Sequence, residues 1–157
     1  MTENITNIVI AGLGGQGVLK ASDILSEVVF NAGFDVKKSE LHGMSQRGGS
    51  VSSEVRFGKK VLSPMVPAGE VDYLVVLAAD QVENNRPVLR DGGVLITPDD
   101  IDVGKLSNKR SVNVALLGVL SRHLDLKEED WLKAVRDNLP EKLHDVNKQA
   151  FALGRET

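Results

Sequence analysis

Two short stretches hold most of the residues that could do chemistry. The first is Gly12-Leu13-Gly14-Gly15-Gln16-Gly17. Its Gly12, Gly14 and Gly17 have the G-x-G-x-x-G spacing that lets a backbone turn sharply against a pyrophosphate, and the N–H groups at the following helix start favour an anion. The second is His42-Gly43-Met44-Ser45-Gln46-Arg47-Gly48-Gly49-Ser50. Arg47 can form a bidentate pair with a phosphate or carboxylate. His42 offers an acid/base or an orienting donor, and Ser45 and Gln46 offer further hydrogen bonds. A bland reading stands beside each. The first glycines could serve only to pack helix on strand or to pass close to another chain, and the second loop could be a tight connection with Arg47 in a surface ion pair.

Those loops need elements to hold them. Ile5–Ala11 is β-branched and apolar, as a buried parallel strand is. Val18, Ala21, Leu25, Val28, Val29 and Ala32 recur at a helical period, and Gly33 stands where a glycine would stop that helix. Phe34–Lys38 reads as a second strand. Val51–Phe57 alternates as a half-exposed strand, with Gly58-Lys59 as a hairpin turn and Lys60–Leu62 as its return. Val71–Ala78 reads as another buried strand. Ala79–Leu89 reads as a helix or helical turn, Asp91-Gly92-Gly93 as a turn and Val94–Thr97 as a strand. Residues 98–110 read as polar loop. Helices are expected over Val112–Leu124, Glu128–Leu139 and from Pro140 to a closing Gly154.

The result is one α/β domain over residues 1–157: a Rossmann-like, mostly parallel sheet with helices on both faces, an antiparallel hairpin and a helical C-terminus. Both glycine-rich loops follow parallel strands, so they are expected to meet at the ligand crevice. A dinucleotide site would also want an acid at the end of the second strand; Asp35 and Glu40 are the candidates, and neither is well placed. Asp80-Gln81 would sit at the same crevice, with Asp80 read as a helix N-cap.

Composition narrows the classes. The 157 residues include no cysteine, which excludes disulfides, cysteine-held clusters and a cysteine nucleophile. A net charge of −3 and 4% aromatic residues argue against nucleic acid as a partner. No apolar run is long enough for a membrane span. Met1-Thr2-Glu3-Asn4 lacks a basic signal region, so a cytoplasmic location is expected. His123 and His144 have no partner at metal-ligand spacing, so no metal site is assigned.

Together the two loops resemble the gamma-type domain of the 2-oxoacid:ferredoxin oxidoreductases. The His42-Gly43-Met44-Ser45-Gln46-Arg47-Gly48-Gly49 form most resembles the beta-subunit type of the indolepyruvate branch. Leu139-Pro140-x-Lys142-x-His144-x-Val146-Asn147 and Ala150-Phe151-x-Leu153-Gly154 are similar too, so the resemblance spans the chain. It implies oxidative decarboxylation of a 2-oxoacid, an aryl pyruvate in this branch, with coenzyme A as co-substrate. The products would be acyl-CoA, carbon dioxide and reduced ferredoxin. It implies that thiamine diphosphate and iron–sulfur clusters belong to a large alpha subunit, that ferredoxin is met through the complex, and that this chain holds no cofactor and is inactive alone. His42 and Arg47 would be the catalytic candidates, and Gly12, Gly14, Gly15, Gln16, Gly17, Ser45, Gln46, Gly48 and Gly49 the binding backbone. The stretch from Pro98 to Ser107 is shorter than is typical of the family. Three other readings stay open: a free-standing Rossmann protein binding NAD or a flavin, a purely structural subunit with both loops serving as interface, and an enzyme of the same family with another 2-oxoacid specificity (pyruvate, 2-oxoglutarate or branched-chain).

Overall fold

The computed structural model describes residues 4–42 and 49–157, with the backbone alone at His42. Five strands form one sheet: β1 (Thr6–Leu13), β2 (Asp35–His42), β3 (Ser50–Gly58), β4 (Val71–Val76) and β5 (Leu89–Ile96), in the order β2-β3-β1-β4-β5. β4 pairs parallel with β1 and with β5, whereas β3 is antiparallel to both β1 and β2. Four strands therefore run one way and β3 alone runs back between them. The antiparallel hairpin exists, but elsewhere than the sequence suggested. It joins β2 to β3 through residues 43–49, and Lys60–Leu62 form no return strand.

β1 is buried along almost its whole length, because it has neighbours on both edges and cover on both faces. Residues Ile8 and Ile10 enter a large core with Val55 and Phe57 of β3. That core lies under α1 (Val18–Asn31), α3 (Val112–Ser121), α4 (Glu128–Asn138) and α5 (His144–Glu156). Val9, Ala11, Leu74 and Val76 point the other way into a smaller core. There the cover is thin: Val66, Val88 and Val82 of the four-residue α2 (Val82–Asn85). Helices thus lie on both faces, but very unequally.

Helix α1 ends as its sequence predicts. Gly33 has φ +97°, its N–H donates to the Phe30 carbonyl at 3.0 Å, and the Phe34 N–H reaches back to Val29 at 3.1 Å. That is a Schellman closure, with glycine at the left-handed position. Gly154 does not close α5; it lies within it. A Cβ there would stand 1.8 Å from the Ala115 carbonyl oxygen, and one at Gly118 would stand 2.2 Å from that of Phe151. The two glycines let α3 and α5 pack backbone to backbone. Asp91-Gly92-Gly93 is not a turn between elements but an irregular stretch of β5, whose register against β4 shifts between Val71 and Tyr73. Among the described residues, no helix is long and apolar enough to cross a membrane.

Candidate functional site

The glycine turn begins inside the sheet. Gly12 still pairs with Val51 of β3, and a Cβ there would meet the Gln16 Oε1 at 2.8 Å and the Leu77 Cβ at 3.2 Å. Gln16 folds back on its own turn: its Oε1 accepts the Leu13 N–H at 2.7 Å, and its N–H donates to the Leu13 carbonyl at 3.1 Å. This side chain stiffens the loop and has its amide oxygen occupied. Gly15 has φ +91° with open space around its α-carbon, so its backbone is bare to solvent.

Gly17 caps α1 at φ +81°, with no side chain to satisfy the first-turn N–H groups. No acidic residue stands in that first turn. The positive end of a fourteen-residue helix is left to whatever approaches it. Asn113, at the start of α3 and buried, holds the turn from behind. Its Nδ2 donates to the Gly17 carbonyl at 3.2 Å, and a Cβ on Gly17 would stand only 2.4 Å from that nitrogen. The sequence reading missed Asn113. An amide at the mouth of an otherwise apolar helix was the available signal.

Gly49, the described end of the second glycine-rich stretch, touches the first turn where β3 pairs with β1. The Gly14 N–H donates to the Gly49 carbonyl at 2.8 Å, and Gly49 is buried. Next to it the Ser50 hydroxyl donates to the Gln81 Oε1 at 2.8 Å. Gln81 is buried, so the Asp80-Gln81 corner does reach the crevice, but through Gln81. Asp80 makes no capping hydrogen bond to the short helical turns after β4. His42 ends β2 opposite Val51. Its side chain, and Gly43, Ser45, Gln46, Arg47 and Gly48, lie outside the described residues.

Two open clefts flank the turn. One, of about 330 Å³, is lined by Leu13, Gly14, Gly17, Leu19, Lys20 and Val51. The other, of about 380 Å³, runs from Gly15 and Gln16 past Leu77 to Lys109 and Arg110. A cationic side chain therefore stands on either side of an uncapped helix start. That arrangement suits an anionic group.

The acid expected of a dinucleotide site is not near. Asp35 opens β2 at the far end of the sheet, where its carboxylate accepts the Val61 N–H at 2.8 Å and pairs with Lys37 at 3.2 Å. The Val61 hydrogen bond, with that from Lys37, holds its pKa below the ordinary aspartate value. Glu40 lies one strand further out than such a residue would, because β3 separates β2 from β1. Cysteine-held clusters are excluded, and among the described residues no cluster of His, Asp and Glu could hold a metal ion. The chain's residues do not fit an iron–sulfur cluster.

The chain is similar to known proteins along nearly its whole length. The chain is 35% identical to the indolepyruvate oxidoreductase subunit IorB of Thermococcus kodakarensis, with 94% of this chain and 93% of that protein covered. That alignment spans 190 positions against a chain of 157, so the relative carries residues that this chain lacks. A ketoisovalerate oxidoreductase subunit VorA from Methanothermobacter marburgensis is 33% identical, covering 73% of this chain but only 24% of the longer one. A keto/oxoacid ferredoxin oxidoreductase gamma subunit from Geobacter sulfurreducens superimposes with a TM-score of 0.80 at 25% identity, covering 98% of this chain and 95% of that one. The family model described as pyruvate ferredoxin/flavodoxin oxidoreductase matches residues 7–157, and the chain belongs to that family.

Proposed function

We propose that this chain is the small subunit of a 2-oxoacid:ferredoxin oxidoreductase of the indolepyruvate type. The complex oxidatively decarboxylates an aryl pyruvate with coenzyme A, passing two electrons to ferredoxin and releasing acyl-CoA and carbon dioxide. Thiamine diphosphate and the iron–sulfur clusters are carried by a large alpha subunit, since a chain without cysteine cannot ligate such clusters. This chain binds and orients. The backbone N–H groups of Gly15 and Gly17 and the Lys20 ammonium receive a carboxylate or phosphate of the 2-oxoacid or of coenzyme A. Arg47 and His42, from the second stretch, are assigned to complete that contact.

One observation supports this reading above the others: the start of α1 has neither a side-chain cap nor an acidic residue in its first turn, and the turn leading into it is tied from the Gly14 N–H to the Gly49 carbonyl. The inward hydrogen bond of Gln16 favours a second reading, in which both loops serve only to pack against the partner. The two separate on Arg47→Ala in the assembled complex, assayed anaerobically for acyl-CoA formation. The binding reading expects a rise of about tenfold or more in the KM for the 2-oxoacid or for coenzyme A, the loss of a charge-assisted hydrogen bond. Unchanged KM values in a complex that assembles normally would leave the packing reading.

A further inference from the structure

The sheet face away from the large helices carries a short ridge, residues 61–67, that is fastened down with unusual thoroughness. The Arg56 Nη1 donates to the carbonyls of Ser63 and Met65, both at 2.8 Å, while its Nε donates to the Asn7 side chain at 2.9 Å. Glu54 accepts the Val66 N–H at 3.1 Å, and Asp35 accepts that of Val61 at 2.8 Å. Val61 and Val66 turn inward, Val61 fully buried and Val66 against the smaller core. Pro64 and Pro67 stiffen what lies between.

What this holds up is apolar. Leu62 is 83% exposed and Met65 71%, and Leu41, on the same sheet face as Glu54 and Arg56, is 57% exposed. Three of the five exposed large hydrophobic side chains among the described residues thus belong to one helix-poor face. A solvated loop gains nothing from presenting Leu and Met on a rigid frame. A binding surface does, because order established before contact is not lost on contact. Lys59 and Lys60 are exposed beside the ridge, and neither makes an ion pair among the described residues.

We propose that this ridge is the seat of the large subunit, with Leu62 and Met65 entering an apolar socket whose rim is acidic opposite Lys59 and Lys60. The inference rests on the small-subunit reading above. The comparison with VorA supports that occupant: the sequence matching this chain makes up about a quarter of a longer polypeptide, so in that relative it is one part of a larger subunit.

The test is co-expression with the large subunit under anaerobic conditions, followed by binding measurements on the purified partners. Wild-type chain should form a stable complex; if it forms none, the small-subunit reading itself fails. Given that complex, Leu62→Ser with Met65→Ser should weaken binding at least tenfold while the thermal midpoint of the chain alone stays unchanged. Phe30→Ser, exposed on α1 under the opposite face, should leave binding unchanged. Lys59→Glu with Lys60→Glu should slow association and flatten its dependence on salt. Undiminished binding by the Leu62/Met65 variant would overturn the assignment. So would a wild-type chain that dimerises by itself through the ridge, which would make a second copy the occupant.

Discussion

At the scale of single residues, Gly17 and Gly15 separate two reasons for a glycine. Both have positive φ, +81° and +91°, but only Gly17 has a neighbour where a Cβ would go. Gly15→Ala should cost about 1–2 kcal/mol of stability from backbone strain alone. Gly17→Ala should cost more, since Asn113 must also move, and Asn113→Ala should recover only the steric part. Urea unfolding of the three variants and the double variant checks this; equal costs at both positions would contradict the geometry. Glu27 and Asp35 make a second pair. Burial raises the Glu27 pKa, and the Asp137 carboxylate beside it raises it further. A raised carboxyl holds its proton more tightly when folded, so its contribution is present at acid pH and lost as pH rises through the folded value. Glu27→Gln should therefore unfold at a higher temperature than wild type at pH 7, with the gap narrowing towards pH 4. Asp35 has the opposite sign: its contribution holds at neutral pH and fades as pH falls below the ordinary aspartate range. Thermal melts of Asp35→Asn from pH 3 to 7 should diverge from wild type as pH rises.

At the scale of elements, the crossing of α3 and α5 makes the sharpest demand. Alanine is a better helix former than glycine by about 1 kcal/mol, so an ordinary helical Gly→Ala change stabilises. Here the Gly154 Cβ would meet backbone, which cannot swing aside. Gly154→Ala and Gly118→Ala should each lower stability by about 1–3 kcal/mol, an overpacking cost, in spite of the propensity gain. A variant more stable than wild type in denaturant unfolding would show the helices to be further apart. In the sequence Gly154 reads as a terminator because glycine after an apolar stripe usually is one; only the partner helix reveals its use. Contrast Gly33, where the stop signal is local and the sequence alone carries it. The same divide governs the strands. β1 and α1 were legible from periodicity within one segment. The partner of β3 was not, because pairing across Ser50–Leu13 depends on contacts remote in sequence, and the alternation of Val51–Phe57 fits either neighbour equally well. The ridge at 61–67 is not legible in the sequence for the same reason, and Asn113 shows only as an amide at the mouth of an apolar helix: each matters through what it touches.

At the scale of the whole molecule, the position of β3 decides between two uses of the same glycine turn. A dinucleotide bound at such a turn extends its ribose towards an acid at the end of the adjacent co-directional strand. In this sheet the strand adjacent to β1 on that side is β3, running the other way and starting at Ser50. β2, with Glu40 near its end, is two strand positions away, about 10 Å from β1. The acid that a dinucleotide site expects at the end of the adjacent co-directional strand is displaced by β3. The chain alone should therefore show no saturable binding of NADH or of FAD at concentrations up to about 1 mM, far above the micromolar affinities that a few well-placed contacts produce. Fluorescence titration of NADH and of FAD checks this directly. Saturable micromolar binding of either would mean that the inserted strand does not bar the cofactor, and the free-standing dinucleotide reading would have to replace the subunit one.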